Sequence, residues 1–326
     1  MQMSKENISE NGKKLKKLFG SNINVITLIV LIIVFFCMNP SFLGSFNMKN
    51  LIVSLGPLLV MSCGASYVRC IGSLDLSMGA VCSCANVLLV SMFPNMGAGA
   101  YIVAAVFGVA TGLLLGVIVA KLKVPSFIAS LGMMNVYECT ALLITSSPFS
   151  VAQEYRHYID WGNETIFEII SVLTVIGIVI MIIMGIVQRY TPIGRSLNMI
   201  GANERAARIS GIAVDKAKIF AFTVCGLTSA LAGIMLAIRL KSCDPATGDS
   251  YTLLAVAAGL LGGASVSGGK GNMTMTLVGV AMVVVIQNGM TIIGVDAFWD
   301  QIVFGALIVL AMVLTSDRSR KDAVVK

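Results

Sequence analysis

The residues able to do chemistry are few in this sequence, and their spacing argues against an active site. The single histidine, His157, stands three positions from both Glu154 and Asp160. Histidine between carboxylates can move protons, but this stretch joins two apolar runs and reads as a solvated outer loop. Cys82 and Cys84 are two apart, which points them to different faces of a helix, and no histidine or carboxylate stands nearby to complete a metal site. Gly268-Gly-Lys-Gly271 is glycine-rich but lacks the Gly-x-x-x-x-Gly-Lys-Ser/Thr spacing that cradles a nucleotide phosphate. Glu138, between Tyr137 and Cys139, is the clearest ionisable residue within an apolar run. An ion-coupled secondary transporter needs such groups as relays or ion ligands, so this single carboxylate keeps that class open as the alternative reading.

The elements that must carry these residues follow from composition. Of 326 residues, 57% are hydrophobic and 12% charged, against about 25% charged in a soluble domain. The apolar runs are continuous and do not alternate with period two, which excludes a membrane β-barrel and leaves helices. The expected fold is an all-α polytopic membrane helix bundle. Its net charge of +7 resides in loops and tails, as the positive-inside rule requires, and no nucleic-acid module is present. Seven cysteines (37, 63, 70, 82, 84, 139 and 225) lie in or beside apolar runs as small packing residues, whereas Cys243 stands alone in a loop.

Apolar runs centre on residues 23–38, 50–68, 77–93, 99–120, 126–145, 166–188, 215–238, 251–265, 273–292 and 297–314, about ten spans. Runs 77–93, 126–145 and 251–265 are short enough to be re-entrant. Alternate sides place Lys13, Lys14, Lys16, Lys17, Arg69, Lys121, Lys123, the 189–214 loop, Lys270, Arg318, Arg320 and Lys321 together. That side is the cytoplasm, with both termini in it. Residues 1–20 and 316–326 are then cytoplasmic tails on a membrane domain over 21–315. Met38-Asn-Pro-Ser offers no small-x-small cleavage site, so the first span is expected to be retained.

Three segments interrupt apolar sequence. Gly72-Ser-Leu-Asp-Leu-Ser-Met-Gly79 sets Asp75 and Ser77, both good N-caps, before a new run. Lys123-Val-Pro125-Ser126 places proline where a helix can begin, with Ser130 one turn on. Gly262 to Gly271 is glycine-rich and carries Lys270. Broken helices need protein or a watery cavity to satisfy their backbone, which makes Asp75, Ser77, Pro125, Ser126 and Ser130 candidates for a translocation path. The third break reads equally well as a tight turn. Small residues shared by the first and third breaks also allow a parallel duplication.

The loop over 189–214 is the long polar segment. Asn203 is a natural N-cap, Ala206 and Ala207 favour helix, and Gly211 closes it. A helix of about two turns follows, whose alanine face could enter a groove on another protein while Glu204, Arg205 and Arg208 set its orientation. An ordinary solvated connection fits the same residues.

Gly194 to Gly211 resembles the coupling loop of the ribose-type permeases of bacterial ABC importers. Their Gly-x-x-Asp-Leu-Ser-x-Gly segment is matched by Gly72 to Gly79, their Pro-x-Phe-Ile-Ala-x-Leu-Gly by Pro125 to Gly132, and their Leu-Gly-Gly-x-Ser-x-x-Gly-Gly-x-Gly by Leu261 to Gly271. The likeness runs from about residue 45 onward, in order and in spacing. It implies a non-enzymatic translocation subunit in a bacterial inner membrane, pairing with an identical or paralogous permease. Two ATP-binding cassette subunits, holding ATP and Mg that this chain does not bind, would dock on Gly201, Asn203, Glu204, Ala206, Ala207, Arg208 and Gly211. An extracytoplasmic binding protein would deliver a small neutral sugar or sugar-like solute.

Overall fold

The computed structural model describes residues 23–166, 170–264, 268–269, 272–296 and 298–315. The expected tails at 1–20 and 316–326, and Lys270 within the third break, lie outside them. Every expected apolar run forms a helix. In chain order these are α1 (Ile23–Met38), α2 (Ser45–Cys70), α3 (Met78–Met96), α4 (Ala100–Ala120), α5 (Ser126–Ile144), α6 (Val172–Tyr190), α7 (Pro192–Ala202), α8 (Glu204–Ile209), α9 (Val214–Leu240), α10 (Asp249–Leu261), α11 (Met273–Ile292) and α12 (Phe298–Thr315). Among the described residues, six stretches are long and apolar enough to cross a membrane, and one of them, Met78–Ala120, holds both α3 and α4. Ten crossings were expected; α1, α10 and the described part of α12 fall short of that length. The 13 residues of α10 reach about 20 Å at 1.5 Å per residue, against a bilayer core of about 30 Å.

Packing centres on α9, which α2, α3 and α4 surround. Gly108, Gly112 and Gly116 make a stripe every four residues along α4, and its backbone lies directly on Phe222, Gly226 and Ile219 of α9. Small residues at this spacing let membrane helices approach to backbone contact, where dispersion replaces the hydrophobic drive that lipid cannot supply. Buried polar side chains then fix register. Asn86 of α3 donates to the Gly233 carbonyl of α9 at 3.2 Å and accepts from the Asp244 amide at 3.0 Å, while Ser83 accepts from the Gly248 amide at 2.8 Å.

The connections gather at two ends. At one, two-residue strands Phe149–Ser150 and Ser242–Cys243 pair antiparallel, and Lys241 binds Asp160 at 2.6 Å. His157 uses its Nδ1 on the Glu154 carbonyl at 2.8 Å and lies tilted at 44° against the Tyr158 ring, a local turn. Cys243 is an unpaired thiol, as expected, but lies buried in a short strand rather than in a loop, and burial pushes its thiol up to about 11. At the opposite end lie the 71–77 break, the 191–213 segment and the described part of the 262–272 break, in mutual contact.

Candidate functional site

The 191–213 segment folds as two helices where one was expected. Thr191 caps α7 by accepting from the Gly194 amide, and Pro192 occupies its first turn, where its missing N–H costs nothing. Leu197 and Ile200 bury one face of α7. Asn203 then ends α7 and starts α8, its Oδ1 accepting from the Ala206 amide at 3.0 Å. Gly211 has φ of +83°; its amide donates to Arg208, and the Ile212 amide donates to Ala207. This pair of bonds is a Schellman closure, and its left-handed residue is best supplied by glycine.

Of the expected coupling residues, Asn203, Glu204, Ala206, Arg208 and Gly211 lie on the exposed surface. Ala207 does not: it is buried against its own chain, so an alanine-paired docking face is not presented. The apolar residue that is presented is Ile209, 81% exposed, which the sequence reading passed over. Glu204 and Arg208 are also engaged within the chain. Lys218 of α9 binds Glu204 at 2.9 Å, Arg208 lies 3.6 Å from Glu204, and Arg208 binds Asp215 of α9 at 3.0 Å. The hydrogen bond and charge of Asp215, then Glu204, raise the affinity of the Arg208 guanidinium for its proton further. These pairs latch α8 to the first turns of the central helix. Arg205 has no ion-pair partner among the described residues and leaves its charge to the surface.

Gly201 serves differently. A Cβ there would collide with the Cys70 carbonyl oxygen and the Gly269 nitrogen, and a Cβ on Gly268 would press on Gly72 and Gly201. The Gly269 amide donates to the Cys70 carbonyl at 3.0 Å. The end of α7 is thus wedged, backbone to backbone, between the first and third breaks.

Of the expected path residues, Asp75, Ser77 and Ser130 are buried, Ser126 is half-buried and Pro125 is exposed. Asp75 is 5% exposed, and its Oδ1 accepts from the Ser77 amide at 2.8 Å and the Ser77 hydroxyl at 2.6 Å. Ser77 precedes α3 but makes no capping bond of its own, since its hydroxyl is committed to Asp75. Ser126 accepts from the Leu74 amide at 3.3 Å, joining the first break to the start of α5, where Pro125 is the exposed N-cap residue. Ser130 is buried and donates to the Phe127 carbonyl. Neither of two cavities at this end, about 180 and 450 Å³, is lined by these residues.

Arg69 completes the region. It is buried, with Nη1 donating to the Ala255 and Val256 carbonyls of α10 at 3.2 Å and Nη2 to Ser66 at 3.1 Å. Ser66 in turn meets Thr276 of α11 at 2.9 Å, and Gly259 leaves the space the guanidinium fills. Nothing in the residue spacing marks α10 as its partner, 186 positions away. Among the described residues no group of three or more His, Cys, Asp or Glu could hold a metal ion.

Comparison with known proteins places the whole chain rather than its individual site residues. The family described as the permease component of the branched-chain amino acid transport system matches residues 47–312. The ribose import permease protein of Bacillus subtilis is 34% identical over 296 residues, 90% of this chain and 91% of that protein. The ribose import permease protein of Escherichia coli is 32% identical over 300 residues, 90% of this chain and 93% of its own length. The L-arabinose transport system permease protein of Escherichia coli is 30% identical over 292 residues, 87% and 86% of the two chains. No solved structure matches. The chain therefore belongs to this permease-component family, as a multi-pass membrane translocation subunit with no enzymatic role of its own.

Proposed function

We propose that this chain carries a small neutral sugar or sugar-like solute into the cell as the permease of an ATP-driven importer, with α8 as the element its ATPase partner pushes. The observation that carries the mechanism is the double attachment of the α7–α8 segment. Through Glu204, Arg208, Asp215 and Lys218 it is tied to α9, and through Gly201 it is wedged against the breaks after α2 and α10. A push on α8 therefore loads the central helix and both interrupted segments together.

The α8 end is the cytoplasmic one. It carries Lys121, Lys123, Arg189, Arg195, Arg205 and Arg208, the distribution that positive-inside topology produces. Both termini lie on that side. Ile209, exposed directly after Arg208 in sequence, supplies the apolar contact for the partner's groove, while Arg205 supplies an unpaired charge. ATP and Mg bind the ATPase, two permease subunits form the path at their interface, and an extracytoplasmic binding protein delivers the solute. The relatives' names, ribose and L-arabinose, support the solute class, and the family description, which names branched-chain amino acids, does not narrow it. The family assignment displaces the ion-coupled alternative built on Glu138.

Uptake of labelled ribose or L-arabinose by cells expressing the complete importer tests this. Uptake should collapse when ATP is depleted and persist when a protonophore alone dissipates the proton gradient. The reverse pattern returns the chain to secondary transport. Uptake of leucine in place of either sugar would overturn the solute class.

A further inference from the structure

The larger cavity, about 450 Å³, lies outside both the coupling helix and the Asp75 cluster, and its lining changes character along one helix. On α6 it begins with Met181, Ile182, Gly185 and Ile186 and ends at Arg189 and Tyr190. The eight positions from Met181 to Arg189 span about 12 Å of helix. Ile182 and Ile186 are each about half exposed, so the apolar wall opens sideways rather than into the bundle. At the polar end the opposite wall is Asn272, Met273 and Thr274, where α11 begins, and Asn198 of α7 closes it. Arg189 lies 5.7 Å over the Tyr190 ring and has no carboxylate partner among the described residues. The Asn198 Oδ1 is buried without a hydrogen-bond partner.

We infer that this groove between α6, α7 and α11 binds one anionic glycerophospholipid from the leaflet on the α8 side, its phosphate on Arg189 and its upper acyl chain along Ile182, Gly185 and Ile186. The order of the lining is what selects a lipid. Cation, interfacial tyrosine and amide stand at one level, and an unbroken apolar slot opens toward the membrane below them. A soluble anion would use only the first level, and a neutral sugar would leave both the charge and the slot unmatched. Basic pockets between helices at this depth attract anionic headgroups, each Lys or Arg near the surface contributing about 1 kcal/mol. A hydroxylated headgroup would also give the Asn198 amide a partner.

The test uses the full chain, delipidated in detergent, supplied with phosphatidylglycerol or phosphatidylcholine and read by native mass spectrometry. One phosphatidylglycerol per chain should be retained in preference to phosphatidylcholine. Arg189→Gln should lower its retention by about fivefold, the factor corresponding to one lost surface charge. Gly185→Leu should displace it by filling the slot. A Cβ on Gly185 meets only Met273, at 3.5 Å, so the backbone need not move, and an unchanged melting temperature in detergent with phosphatidylcholine checks the fold. Equal retention of the two lipids, or retention unaffected by either variant, overturns the proposal. Competition by soluble glycerol 3-phosphate as strong as by the lipid reduces the site to an anion contact and overturns it too. So does disulfide cross-linking of two chains through Gly185→Cys, because a second copy would then cover the groove. None of these outcomes bears on ATP-driven uptake, so this proposal and the importer reading fail separately.

Discussion

Two polar interruptions at the same end of the bundle, residues 71–77 and 203–211, use the same local chemistry and come to opposite ends. In each, a short acidic or amide side chain folds back to accept from a backbone amide two or three positions on: Asp75 from Ser77, Asn203 from Ala206. In the first, the accepting residue is 5% exposed and its serine partner 2%. In the second, the helix stands on the surface, with Ile209 81% exposed and its charges traded with α9. The difference is what surrounds the turn. Asp75 organises backbone that its burial would otherwise leave unsatisfied, whereas Asn203 starts a helix that water already satisfies. The same cap is therefore a structural necessity in one place and the base of a movable handle in the other.

The largest effect should come from the buried turn. Asp75→Ala leaves the Ser77 amide and hydroxyl without their acceptor, and an orphaned buried polar group costs about 1–3 kcal/mol. Thermal unfolding of the purified chain in detergent should show that loss, with less of the protein reaching the membrane. Asp75→Asn keeps an acceptor oxygen and should recover most of the stability. If instead Asp75→Ala melts as wild type and only transport fails, Asp75 is a path residue after all and the contrast between the two turns disappears.

How much of this contrast was legible in the sequence depends on whether its causes are local. Each of the ten apolar runs became a helix because continuous apolar sequence leaves the backbone no other way to satisfy itself in lipid. The α8 boundaries were legible for a similar reason, since Asn203 and Gly211 act within four residues of themselves. Thr191-Pro192 is an equally local start signal, and overlooking it hid α7. The burial of Ala207, the ion pairs from α8 to Asp215 and Lys218, and the grip of Arg69 on α10 were not legible. Each depends on which helices become neighbours, and capping or hydropathy carries no record of that. The buried state of Asp75 and Ser77 belongs here too. An N-cap signature says that a helix begins, and it is silent on whether water or protein lies beyond.

A smaller effect is expected at the exposed turn's ion pairs. Glu204→Lys breaks the bond to Lys218 and opposes Arg208, while the surface position spares the fold. Uptake should fall by about tenfold, the scale on which a misplaced interface charge acts, with ATPase turnover persisting but no longer coupled. Two roles for Glu204 can then be separated. If it serves as a latch to α9, the exchange Glu204→Lys with Lys218→Glu rebuilds the pair and restores uptake. If it contacts the ATPase directly, the exchange stays as poor as the single variant. Restoration would place the coupling contact on Ile209 and Arg205, the two residues that α9 leaves free.

The smallest effect, and the closest match to the first, is Asn203→Ala. Removing an N-cap costs about 1 kcal/mol, nominally comparable to the loss at Asp75, yet the consequence should be different in kind. The six residues of α8 are too few to hold a helix without help, so the loss appears as fraying of α8 itself. The melting temperature of the whole chain should stay at the wild-type value, because the α9 bundle does not depend on that cap. Hydrogen exchange should rise at the amides of Ala206, Ala207 and Arg208 and remain unchanged in α9 and α10, with a modest fall in uptake. A drop in global stability equal to that of Asp75→Ala would mean that α8 is as much a part of the core as the first break, and a handle so embedded could not move on its own.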